Sequence, residues 1–127
     1  MDLTNIASIS GKPGLFRVIS KSTNSAIVET LDEKKKRFPV QQHQPLALLE
    51  EVSIYSKKTD EIPLKDILSE IKENYGDELP VKPKDDEESL RKFFNEVAPE
   101  HDDNRVYPSD IKKVIQWYKI LRDQEII

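Results

Sequence analysis

The chain has 127 residues, 36% hydrophobic and 35% charged, with a net charge of −4, which leaves room for one domain or two very small ones around a thin core. It has no cysteine, which excludes disulfides, thiol nucleophiles, zinc–thiolate sites and iron–sulfur clusters. No apolar run approaches the roughly 20 residues that cross a bilayer, and the opening MDLTNIASIS has an acid and no basic region, so neither a membrane nor a signal peptide is expected and the expected compartment is the cytoplasm.

Leu3, Ile6 and Ala7 fall at helical spacing, with Asp2 placed to cap, which predicts a short first helix. Gly11-Lys12-Pro13-Gly14 predicts a tight turn. Residues 15–20 and 26–31 are β-type runs separated by the polar stretch Lys21-Ser22-Thr23-Asn24-Ser25, the pattern of a β-hairpin. Residues 37–40 predict a third strand, at an edge or bulged because Pro39 has no N–H. Residues 45–49 suit one helical turn, and 52–56 a fourth strand. Four or five short strands with tight connections predict a small SH3-like barrel or a bent antiparallel sheet.

The second half changes period. Leu64, Ile67, Leu68, Ile71 and Tyr75 make one apolar stripe, with Pro63 suited to the first turn and Gly76 to the end. Residues 77–86 hold Pro80 and Pro83 and read as a linker. Asp85 and Glu88 have capping-box spacing ahead of the stripe Leu90, Phe93, Phe94 and Val97. Ser109 is placed to cap a last helix, which buries Ile111, Val114, Ile115, Tyr118 and Leu121, while Trp117 widens its apolar face. The predicted fold class is α+β: the small barrel or bent sheet followed by three helices.

Charge follows the same division. Residues 1–60 hold nine Lys/Arg against seven Asp/Glu, and residues 61–127 hold eleven against seventeen. This predicts a β domain over 1–60 and a helical domain over 61–127. Halves of about 60 residues bury only about 60% of their unfolded surface, so they are expected to pack on each other.

ISGKPGLF at 9–16, RFP at 37–39, SIY at 53–55, PLKDIL at 63–68 and RVYPSDIKKVIQWY at 105–118 resemble a family of small uncharacterised bacterial proteins known as a domain of unknown function. The resemblance spans most of the chain. It implies one small protein and no particular activity.

Three constellations invite chemistry. His101-Asp102-Asp103-Asn104 suits a divalent metal by residue type, and a metal-dependent hydrolase built on residues 101–103 is one alternative. As an EF-hand loop it fails, because counting from Asp102 places Val106 and Tyr107 at the fifth and sixth positions and Lys113 at the twelfth. Lys34-Lys35-Lys36-Arg37, with Phe16 and Phe38 near, suits RNA binding by the basic β domain; the structural alternative is a charged turn that keeps an edge strand soluble. His43, in QQHQP, has no partner set by sequence.

No credible nucleophile, acid–base pair or metal set emerges, so no catalytic residue, cofactor or metal is expected. The expected function is a non-catalytic binding or adaptor module with a protein or peptide partner. Lys35, Arg37, Phe38 and His43 form one candidate contact surface, and Arg105 and Tyr107 a second, since Arg and Tyr are prominent at interface hot spots.

Overall fold

The side chains of residues 15–18 sort to alternate faces, and that alternation organises the front half. A computed structural model describes residues 1–41, 44–58 and 60–127. In it β1 (Ile6–Ile9), β2 (Lys12–Lys21), β3 (Ser25–Thr30), β4 (Arg37–Gln41) and β5 (Leu46–Leu48) form one antiparallel sheet in the order β4-β3-β2-β1-β5. Phe16 and Val18 of β2 pack with Ala7, Ile9, Val28 and Val40 in a cluster that contains no helix residue. The sheet therefore curls around these side chains, helped by register shifts between Ala7 and Ile9 and between Val18 and Ser20, where bulges sharpen the twist.

The sheet stays open, so the bent form is the one observed and the closed SH3-like barrel is not. β4 and β5 are both edges. Pro39 in β4 and Pro45 just before β5 lack N–H donors, which weakens any ladder between those edges. Pro39 thus sits on an edge strand, as expected.

Four local expectations are corrected. Residues 6–9 are a strand, not a helix. Ile6 and Ala7 are adjacent and buried in different clusters, which a strand achieves by pointing them to opposite faces. The turn before β2 falls at Ser10-Gly11, where Gly11 takes φ +83°, while Pro13 and Gly14 lie within the strand. Residues 46–48 pair with β1, and the helical turn follows as a single 3-10 turn at Leu49–Glu51. Of residues 52–56, Ser53–Ile54 form β6, which pairs with β7 (Ile62–Pro63) in a separate two-stranded sheet, and Ser56 makes an isolated bridge with His101.

The helices α1 (Leu64–Tyr75), α2 (Glu87–Val97) and α3 (Pro108–Asp123) bury the stripes read from the sequence. Their caps shift slightly. Asp86, not Asp85, accepts the Ser89 N–H at the start of α2, at 2.9 Å. Pro108 takes the first position of α3, so Tyr107 rather than Ser109 precedes the helix, and the Asp110 carboxylate accepts the Tyr107 N–H at 2.9 Å. Among the described residues no helix is long and apolar enough to cross a membrane.

Leu3, Ile6, Leu15 and Leu49 leave the sheet side to join the helix residues in one core. Burying these four side chains is worth about 6–12 kcal/mol in transfer free energy. That is comparable to the whole net stability of a typical domain. The front segment and the helices are therefore energetically one unit.

Candidate partner-binding site

Helix α3 directs Ile111, Val114, Ile115, Tyr118 and Leu121 inward. Lys113, Gln116 and Trp117 stand at i, i+3 and i+4 beside that face and look across the end of the sheet. Between this stripe, the β1–β2 turn and β5 lies a cleft of about 450 Å³. It exists because the residues opposite are small. Ser8 and Ala47 pair across β1 and β5, and Ser10 and Gly11 form the turn. A second cleft, of about 200 Å³, lies on the other side of Trp117, over Val52, Ile54, Val106 and Val114. Lys113 and Trp117 line both, so the two adjoin and together make a trough beside α3.

Tyr55 and Arg105 line the second cleft. Tyr55 is half exposed, and the Arg105 guanidinium lies 4.4 Å from the centre of its ring. Asp102 fixes both. Its carboxylate accepts from Arg105 Nε at 2.8 Å and its N–H donates to the Tyr55 carbonyl at 2.9 Å. The Arg105 side chain, then the Asn104 N–H, hold the Asp102 carboxyl below the usual carboxylate value. Alongside, Lys57 pairs with Asp103 at 3.3 Å and donates its N–H to the Glu100 carbonyl.

This makes residues 101–104 a structural latch. His101 is fully buried; its Nδ1 lies 2.6 Å from the Ala98 carbonyl, its Nε2 lies 3.5 Å from Arg91, and its ring meets Phe94 edge-on. Arg91 has no acceptor, so Nε2 accepts and Nδ1 donates. With both nitrogens engaged and Asp102 held by Arg105, the loop offers no ready ligand set. Among the described residues no cluster of three metal-ligating side chains occurs.

The described residues of the first predicted surface also make structural contacts. Lys35 takes a left-handed φ of +49° in the β3–β4 turn, where the Asp32 carboxylate accepts its N–H and that of Lys34. Arg37 pairs with Glu29 across the strands at 2.9 Å. Phe38 is half-buried against Phe16, edge to face at 5.5 Å, and Phe16 is itself core. His43 lies outside the described residues. Of the second surface, Arg105 lines a cleft, whereas Tyr107 is exposed at the start of α3 and lines neither. The structure adds Tyr55, Lys113, Gln116 and Trp117. Only Trp117 carried a sign in the sequence, as the aromatic residue beyond the buried stripe of α3.

Residues 52–121 match the family described as Domain of unknown function (DUF6852). The chain belongs to the DUF6852 family. Residues 3–49 match a second, Domain of unknown function (DUF5606). The fold is similar to a solution NMR structure from Bacteroides vulgatus, a structural genomics target, with 37% sequence identity, 99% of this chain and 89% of that chain covered, and a TM-score of 0.76. No curated protein matches the chain. Membership of the DUF6852 family agrees with the resemblance read from the sequence and brings no activity with it.

Proposed function

We propose that this DUF6852 protein is a non-catalytic binding module that holds an extended protein segment along the trough beside α3. The observation that carries the reading is the lining: Trp117 half-buried between two adjoining clefts, with Tyr55 and Arg105 fixed at one end. Trp, Tyr and Arg are the residue types that dominate interface hot spots. Two adjoining clefts suit neighbouring side chains of an extended segment better than one compact metabolite. The non-catalytic part of the proposal draws support from the same lining. Among the described residues, Ser8 and Ser10 have no histidine or carboxylate beside them in the larger cleft, and Asp110 in the smaller one is engaged by the Tyr107 N–H.

RNA binding by the β domain draws less support, because Phe16 and Phe38 pack inward and Arg37 is neutralised by Glu29. The test is site-specific photo-crosslinking in the native cell. A benzophenone side chain at Gln116, inside the trough, should capture a discrete protein that the same probe at Lys84, outside both clefts, does not. Equal capture from both positions, or capture of RNA from Lys35 alone, would refute the proposal.

A further inference from the structure

Resting on that reading, we propose that the segment held in the trough is acidic, with a carboxylate beside an apolar side chain. Among the described residues the larger cleft is lined by two lysines and no carboxylate, in a chain where acids outnumber bases 24 to 20. Lys12 places its ammonium 4.9 Å from the Phe38 ring. Lys113 makes no ion pair among the described residues and lines both clefts. It stands next to the exposed Gln116 amide and opposite the Ser8 and Ser10 hydroxyls, so one cation and several neutral groups able to donate converge beside the Trp117 ring. That set matches a carboxylate flanked by an apolar group.

In the smaller cleft Arg105 is the other cation, and Asp110 is a carboxylate in the first turn of α3. Arg105 is paired with Asp102, and Asp110 accepts the Tyr107 N–H. Charge selection therefore falls to Lys113. One uncommitted lysine fits a peptide carboxylate and is too few for a phosphate backbone, whose affinity comes from many such contacts.

The test uses the full chain. A random dodecapeptide phage library is selected on the protein, with the Trp117→Ala variant as counter-selection. Sequences enriched in Asp or Glu beside Leu, Ile or Phe are expected. The synthetic consensus peptide, carrying a fluorophore and read by anisotropy, should bind about tenfold more weakly to Lys113→Glu, the size of one charge-assisted hydrogen bond. A Glu-to-Lys swap in the peptide should recover part of that loss. Lys113 is exposed, so this variant keeps the test sound if Trp117→Ala fails to fold. Uncharged or basic peptides that still quench the fluorescence of Trp117, the single tryptophan, would overturn the acidic ligand and leave the binding module standing. No enrichment over the Trp117→Ala protein would overturn both. Binding of dodecauridylate that Lys113→Glu abolishes would overturn the proposal in favour of nucleic acid.

Discussion

His101 is the residue whose chemistry tempts most and whose surroundings leave it least to do, so its removal discriminates sharply. Its ring is fully buried against Phe94, and Nδ1 donates to the Ala98 carbonyl at 2.6 Å. Truncation to alanine loses a net hydrogen bond worth about 1 kcal/mol. It also opens a ring-sized cavity, for which losses of about 2–3 kcal/mol are typical. The expected total is about 3–4 kcal/mol, a large share of the roughly 5–15 kcal/mol that holds a domain together. With a urea m-value near 2 kcal/mol/M, the unfolding midpoint should fall by about 1.5–2 M. His101→Asn can place an amide donor near the Nδ1 position and should recover about 1 kcal/mol of the loss. Trp117 fluorescence and far-UV circular dichroism, followed together, report whether the transition stays two-state. A His101→Ala midpoint within about 0.3 M of the parent, at the same m-value, would refute the structural reading and reopen the ring as a site of chemistry.

Three further outcomes follow from the same contacts. The Tyr118 hydroxyl donates to the Gly76 carbonyl at 2.6 Å, and Tyr118→Phe should cost about 1 kcal/mol in urea unfolding. Burial raises the Tyr118 hydroxyl above its ordinary 10.0, so the stability it contributes is present below that value and lost as pH climbs through the higher folded one; Tyr118→Phe should flatten the alkaline limb of a stability–pH profile. At the acid end, Asp32, Asp86 and Asp102 are held below their ordinary 3.8, chiefly by the Thr30 hydroxyl, the Ser89 N–H and the Arg105 side chain respectively. Carboxyls lowered in the folded state stabilise it above 3.8 and lose that contribution as pH falls below, so replacing all three with Asn should make the acid limb shallower; an unchanged limb would show that these bonds are broken in solution. Gly76 ends α1 at φ +60° with open space around its Cα, so Gly76→Ala should cost about 1 kcal/mol through backbone strain alone, measurable as a small fall in midpoint.

The helices were legible because each buries one side and exposes the other. Leu64, Ile67, Leu68 and Ile71 show the 3.6 period in the sequence, and all four are buried. β1 was not legible, for a physical reason. Ile6 and Ala7 are buried on opposite faces of the sheet, so alternation disappears, and Leu3 upstream supplies an accidental helical spacing. Residues 45–49 misled in the same way, since PLALL is apolar throughout while Leu46–Leu48 pairs as an edge strand. Arg105 announced itself as a distinctive residue before a proline. Ser8 and Ala47 announced nothing: their contribution to the trough is their smallness, which becomes visible only when a helix from the far end of the chain crosses above them.

That crossing ties the trough to the whole chain. The matched families divide it at residues 49 and 52, yet Leu49 at that junction is fully buried in the core shared with the helices. The larger cleft takes one wall from residues 8–14 and 45–47, inside the first match, and the other from residues 113–117, inside the second. Neither segment contains it alone. A front segment cut free would expose Leu3, Ile6, Leu15 and Leu49, and the free helices would present Trp117 with nothing opposite. Any ligand that prefers the complete trough must therefore also stabilise the packing of the sheet on the helices, by an amount set by its concentration over its dissociation constant. Binding and the integrity of that junction are one equilibrium, and substitutions at Leu15 or Leu49, far from any ligand contact, will weaken affinity to the extent that they loosen α3 from the sheet.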